Sequence, residues 1–217
     1  FSLFLGSALQ QVALLYTDVA NAAFFTIFYV PMVPIIVFLF KKKSIHWSVW
    51  PSVVLCLIGG YLLTNFYDAT VRLGDGLVLL GALFWSTHII FTGMIVTRYN
   101  LPLTIGALQT LIVAILSFIV CSIYEEFILI NILNEIDSIL YAGVLSGGFA
   151  FVLQIYAQRN IAPAPAAIIF SLEGVFATAA AWFLLNQILD INNIFGCIFI
   201  LCGVLLSQLL PLIRKTV

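Results

Sequence analysis

Apolar runs about 20 residues long follow one another along this chain with only short polar breaks between them, and that pattern leaves few folds open. Such a run is long enough to cross about 30 Å of hydrocarbon as a helix. In hydrocarbon each backbone N–H and C=O must find its partner within the protein, so the runs are expected to be helical. Of all residues 64% are hydrophobic and only 8% charged, too little polar surface to wrap a water-soluble globule. The fold class expected is an all-α polytopic membrane protein.

Seven full spans are predicted: Ala20 to Phe40, His46 to Phe66, Gly76 to Val96, Leu103 to Ile123, Ser138 to Ala157, Ala164 to Leu185 and Ile191 to Leu212. Phe1 to Tyr16 is apolar but too short to cross, and no charged flank marks it as a signal peptide. It reads as part of a span whose beginning lies upstream. Glu125 to Asp137 is the longest polar stretch, and its Phe127, Ile128 and Leu129 suggest a loop with a short interfacial turn.

Walking the connections alternately puts seven of the eight Lys and Arg residues on one side: Lys41, Lys42, Lys43, Arg98, Arg159, Arg214 and Lys215. The other side has Arg72 and most of the acids, among them Asp18, Asp68, Asp75 and Asp190. Basic residues near span ends resist translocation, so the basic side and the C-terminus are expected in the cytoplasm, with a bacterial inner (plasma) membrane as the setting.

An offset of 143 residues lays the end of the chain on its start without gaps. Gln154 falls on Gln11, Ala166 on Ala23, Phe183 on Phe40 and Gly203 on Gly60, and the expected helix boundaries coincide. Lys41 to Lys43 then match Leu184, Leu185 and Asn186 on the opposite side, the mark of an inverted repeat. Two domains follow. Residues 1–66 read as the C-terminal part of a first repeat, with two helices and the start of a third missing; residues 75–213 read as a second repeat of five helices. The complete chain is expected to hold ten helices in an inverted-repeat bundle.

The segment Ala162 to Pro211 carries Ser171-Leu172-Glu173-Gly174-Val175-Phe176-Ala177, then Trp182-Phe183-Leu184-Leu185 and Gly203-Val204-Leu205-Leu206. It resembles the EamA-type permeases of the drug/metabolite transporter superfamily, and the resemblance extends over nearly the whole chain. The family usually has Leu-Glu-Pro where Leu172-Glu173-Gly174 stands, and Gly-Glu where Asn186-Gln187 stands. Pro31, the repeat-equivalent of Gly174, is similar to the family's proline. The resemblance implies a ten-helix transporter but no particular cargo, since similar proteins are associated with amino acids, other metabolites or drugs.

Several polar residues within spans are candidates for cargo binding or coupling. Glu173 is the only carboxylate in the predicted spans; a charge there costs about 3 kcal/mol on insertion scales, so a cavity or a partner is expected. It suits a proton-coupling or cargo-ammonium site, and equally a structural carboxyl bonded to a neighbouring helix. His88, with Trp85 beside it, suits a proton relay or cargo contact, or one interhelical hydrogen bond. Gln11 and Gln154 suit symmetry-related cavity walls or helix glue. Ser171, Gln109, Asn21 and Gln158 are further candidates of the same kind. Pro31 and Pro34 should kink their helix. Gly174 should soften the Glu173 helix, and the Gly143–Gly147 spacing should admit a close helix neighbour.

Cys56, Cys121, Cys197 and Cys202 all lie in apolar runs without CxxC or metal-ligand spacing, so no metal is expected. No phosphate loop or hydrolase motif stands in the chain, so no cofactor, catalytic residue or ATP coupling is expected. A net charge of −1 offers nothing to nucleic acid. The expected partners are the bilayer and a small-molecule solute, with a coupled proton or an exchanged solute, the protein acting alone or as a homodimer. A transporter working by alternating access leads; an intramembrane lipid-modifying enzyme and a non-transporting structural subunit are the alternatives.

Overall fold

The computed structural model describes residues 1–41, 45–66 and 70–213, with no placement of the Lys41, Leu185 or Leu212 side chains. Lys42, Lys43, Asp68, Arg214 and Lys215, which carry part of the expected charge split, lie outside the described residues. Every regular element among the described residues is helical. In order they are α1 (Ser2–Ala13), α2 (Val19–Thr26), α3 (Tyr29–Lys41), α4 (Val49–Leu63), α5 (Leu73–Tyr99), α6 (Pro102–Tyr124), α7 (Leu129–Asn134) and α8 (Ile136–Leu140). A π-helical segment (Tyr141–Ala150) follows, then α9 (Phe151–Gln158), α10 (Pro163–Phe170), α11 (Leu172–Leu185) and α12 (Ile191–Ile213).

Six helical segments are long and apolar enough to cross a bilayer: Val19–Phe40, Leu73–Tyr99, Pro102–Tyr124, Ile136–Gln158, Pro163–Leu184 and Ile191–Pro211. The run expected as a span over His46 to Phe66 forms a helix of only 15 residues, α4, about 22 Å long at 1.5 Å per residue. Both ends are tied off by side chains. His46 Nδ1 lies 2.8 Å from Ser48 Oγ and accepts the Ser48 N–H. At the other end the Thr64 hydroxyl donates to Gly60 O, and Asn65 turns left-handed at φ 51°. The polar stretch expected to hold one interfacial turn forms the short helices α7 and α8.

Two of the spans are broken in the middle. Between α2 and α3 the chain turns at Ile27 and Phe28, one turn before Pro31. Pro31 has no N–H to offer Ile27 O, which accepts from Val30 N instead at 2.9 Å; the kink falls where the proline places it. Pro34 is buried inside α3. Between α10 and α11 the turn is at Ser171, with no proline in α11. There the Ser171 hydroxyl donates to Ile168 O at 2.6 Å, occupying a carbonyl that a regular helix would give to a backbone N–H. Gly174 N then donates to Ser171 O at 3.3 Å, a tightened turn at the start of α11. The breaks at Phe28 and Ser171 stand 143 residues apart (171 − 28).

Small residues set the closest helix pair. A Cβ on Gly196 would sit 2.7 Å from Gly59 O, and one on Gly203 2.9 Å from Ser52 O. The numbers rise along α12 as they fall along α4, so the two helices run antiparallel. The pair joins a core of Tyr29, Val33, Val53, Cys56, Ile168 and Ile200, drawn from α3, α4, α10 and α12. Outside it, most of Ile136–Gln158 and Pro102–Tyr124 is exposed. Leucine, isoleucine and phenylalanine cover those surfaces, which suits contact with lipid.

The Gly143–Gly147 spacing does not make the helix contact expected of it. Nothing lies within 4 Å of a Cβ on Gly143, and a Cβ on Gly147 would meet only Ala142 O, one turn back. These residues fall in the π-helical segment, where residues four apart still share a face, and no neighbouring helix packs within 4 Å of a Cβ there.

Charge is sorted along α5. At its start Asp75 is only 2% exposed, and it accepts from the Thr17 hydroxyl, from Asn21 Nδ2 at 3.1 Å and from Arg72 N at 2.7 Å. Asp75, taken with the loop acids in the sequence, is thus a buried cap for α5. Beside it Arg72 pairs with Asp18 at 2.7 Å. At the far end of α5 stand Arg98 and, held to Asn100 at 3.0 Å, Arg159.

Candidate functional site

The two interrupted spans bring their breaks to one place. Ile27, Phe170 and Ser171 all border a cavity of about 510 Å³ that runs from Glu173 towards Asn65 and Asp190, where α4 ends and α12 begins. A second cavity, about 700 Å³, lies between α1, α5, the π-helical segment and α11. Gln10, Thr26, Tyr29, Phe170 and Glu173 belong to the walls of both. Glu173 therefore stands where the two spaces meet. Its side chain is reachable, and what it is reached from is cavity space at the second residue of α11. No hydrogen bond or ion pair holds its carboxylate among the described residues.

The second cavity is rich in aromatic side chains. Trp85 stacks on Phe151 with centroids 6.1 Å apart and planes 18° apart, and Phe176 and Tyr141 complete the wall. Trp85 Nε1 donates to Gln10 Oε1 at 3.1 Å, which fixes both side chains across α1 and α5. The π-helical segment contributes Tyr141, Leu145, Ser146 and Ala150. Their spacings of four, one and four residues trace one face of a widened turn. Among the described residues lining either cavity there is no Lys, Arg or His, whereas Glu173 and Asp190 are acidic.

The sequence candidates divide by position. Glu173, Ser171, Trp85 and Gln154 line one or both cavities, as does Gly174. The Ser171 hydroxyl is committed to Ile168 O and touches Cys56 Sγ at 3.4 Å, so it shapes the break. Gln11 is exposed and lines neither cavity; its neighbour Gln10 does. The helical face Leu3, Gly6, Gln10, Ala13 decides between them; a Cβ on Gly6 would sit 3.3 Å from the Trp85 ring. His88 also lines neither. It is 4% exposed, its Nε2 lies 3.1 Å from Gln109 Oε1, and its ring leans on Trp85 and Phe151 from behind. It backs the aromatic wall. Asn21 serves Asp75, and Gln158 donates to Ile89 O at 3.2 Å. Tyr29 and Thr26 are wall residues the sequence did not single out; nothing in their local pattern separates them from other residues of an apolar run.

Residues 72–209 match the model of the EamA-like transporter family. The chain is 32% identical to an uncharacterized transporter of Archaeoglobus fulgidus over 95% of its own length and 66% of that protein's. It is 25% identical to the uncharacterized transporter YoaV of Bacillus subtilis over 64% of its own length and 48% of that protein's. It thus spans from about half to two thirds of the length of these relatives. One crystal structure superposes with a TM-score of 0.81 over 96% of this chain and 75% of that one, at 15% identity, and so shares its fold. An all-helical membrane protein with this family match over most of its length belongs to the EamA-like transporter family.

Proposed function

We propose that the protein is a secondary transporter which carries a small solute through the two cavities by alternating access, with Glu173 at their junction as the contact for cargo. The observation that carries this reading is a carboxylate with no hydrogen bond or ion pair among the described residues, set beside a helix interruption and reached from both cavities. A charge at such a depth is costly unless something answers it. The cavity sizes fall in the range of about 300–1,000 Å³ that suits small ligands. Interrupted helices meeting at a site near mid-membrane are a recurrent transporter device.

Two further features support two units of opposite sense. The helix breaks recur at the 143-residue offset, and α4 and α12, equivalent at that offset, pack antiparallel across their glycines. The expected domains, 1–66 and 75–213, follow this division. Rocking of one unit on the other about the α4–α12 pair would expose the cavities in turn.

The lining also favours one sign of cargo. An anion would find carboxylates and, among the described residues lining the cavities, no cationic partner, and the bare charge would be expensive to desolvate. A protonated amine on an apolar or aromatic body would meet Glu173 with its charge and Tyr29, Trp85 and Phe170 with the rest. The intramembrane-enzyme alternative gains nothing comparable, because His88 is paired with Gln109.

The test is flux into liposomes holding the purified protein, using phenethylamine, phenylalanine and 3-phenylpropionate, which share a ring and differ in charge. Phenethylamine should enter fastest, and Glu173→Gln should slow it at least about tenfold, the loss of some 1.4 kcal/mol of binding. Equal entry of 3-phenylpropionate contradicts the cation preference. Undiminished flux of the amine in Glu173→Gln contradicts the role of Glu173.

A further inference from the structure

At the other end of α5 lies a cavity that the transport reading leaves unused. About 500 Å³ in size, it is lined by Gly93, Met94, Thr97 and Arg98 of α5 and by the connection from Arg159 to Pro163 that leads into α10. Arg98 and Arg159 both line it, and no acidic residue does. Neither arginine is in an ion pair among the described residues; the pair formed there, Arg72 with Asp18, is at the opposite end of α5. Two uncompensated cations lining one small cavity call for an anion.

The surroundings say which kind. Arg98 and Arg159 directly follow, or nearly end, the spans Leu73–Tyr99 and Ile136–Gln158, at the level where a bilayer passes from chains to headgroups. Arg98 lies 5.4 Å from the centroid of the Tyr99 ring and Arg159 4.8 Å from that of Tyr156. Both tyrosines are more than half exposed, as interfacial aromatics are. These ring contacts, and the bond from Arg159 Nη1 to Asn100 Oδ1, hold the guanidinium groups in place and leave further N–H donors free. Asn100, at φ 55°, is the left-handed cap that ends α5 and brings its side chain to Arg159. Thr97 is committed to Gly93 O at 2.6 Å, so the polar character of the cavity rests on the arginines and Asn160. Met94, Ile161 and Pro163 supply apolar wall. A guanidinium pair matches the oxygens of a phosphate group, and the apolar wall suits the ester and first methylenes behind it.

We propose that Arg98 and Arg159 form a binding site for the phosphate of an anionic phospholipid headgroup at this end of the bundle. The site stands apart from the cavities at Glu173 and does not depend on which cargo they carry. A seated lipid would bridge the end of α5, the end of α9 and the start of α10.

The test uses the purified protein in nanodiscs of phosphatidylcholine alone and with phosphatidylglycerol, together with lipid retention by native mass spectrometry. Two arginines near a membrane surface should favour the anionic lipid by roughly 30-fold, about 2 kcal/mol. Retained phosphatidylglycerol and a raised melting temperature relative to phosphatidylcholine are the expected result in the wild type. Both should disappear in Arg98→Gln/Arg159→Gln and persist in Arg72→Gln, which removes the cation at the other end. A separate arm adds inorganic phosphate or glycerol 1-phosphate to the phosphatidylcholine sample. If these reproduce the full shift, the site takes a soluble anion and the lipid assignment falls. Equal retention in the double variant, or no preference in the wild type, overturns the site itself. Lysine at both positions keeps the charges, so retention there distinguishes lost binding from lost folding.

Discussion

Which of two adjacent glutamines faces the cavities is decided by a rotation of about 100° along a helix. Gln10 accepts from Trp85 and lines both cavities, whereas Gln11 is exposed. Gln10→Ala should therefore weaken cargo binding by about tenfold, the worth of one hydrogen bond plus a freed Trp85 N–H. Gln11→Ala should stay within about twofold by the same scale; titration of Trp85 fluorescence with cargo measures both. Asp75 makes a second contrast. Its carboxylate answers Thr17, Asn21 and the Arg72 N–H in a buried place, so Asp75→Ala should cost about 1–3 kcal/mol of stability or more. A thermal melt in detergent should show the loss. Glu173 could be singled out from sequence because a lone acid in an apolar run is conspicuous. Gln10 could not, since choosing it over Gln11 requires knowing which face of α1 meets α5.

Helices and their limits were largely readable because apolar length and polar punctuation are local properties. The interruptions were readable only in part. Pro31 announces its kink, but the break at Ser171 arises from a hydroxyl reaching Ile168 O, a bond that depends on the local backbone. The matching position of Pro31 and Gly174 yields a prediction. Gly174 lies three residues past the break, in the first turn of α11, and donates its N–H to Ser171 O at 3.3 Å. Gly174→Pro gives up that bond, so it should cost about 0.5–1.5 kcal/mol of stability and keep transport within about twofold. A thermal melt and a flux assay together check this. The glycines of the α4–α12 contact should be less tolerant. Gly196→Leu must push against Gly59 O and the Leu63 backbone, and should cost at least about 1–3 kcal/mol. Gly76→Ala, with nothing within 4 Å, should gain up to about 1 kcal/mol from helix propensity. The Gly143–Gly147 pair shows the limit of motif reading, because its spacing makes room for a neighbour but does not bring one, and no other helix lies within 4 Å of a Cβ there.

For the whole molecule, the sequence established a helical membrane protein, and the family match places it among EamA-like transporters. The cavities themselves could not be read in advance. Their walls come from helices far apart in the chain, α1 with α5 and α2 with α10 and α11, and no local pattern records that meeting. What the assembled bundle adds is a common wall at which interrupted spans, aromatic rings and the Glu173 carboxylate converge. The central claim is that cargo places its charge there. Carbodiimide labelling of Glu173, followed by mass spectrometry of the peptide that contains it, tests this most directly. Glu173 should be modified in the resting protein, protected by phenethylamine in a concentration-dependent way, and left unprotected by 3-phenylpropionate. Modification of Glu173 at the same rate with and without transported cargo would contradict the account and move the binding site elsewhere.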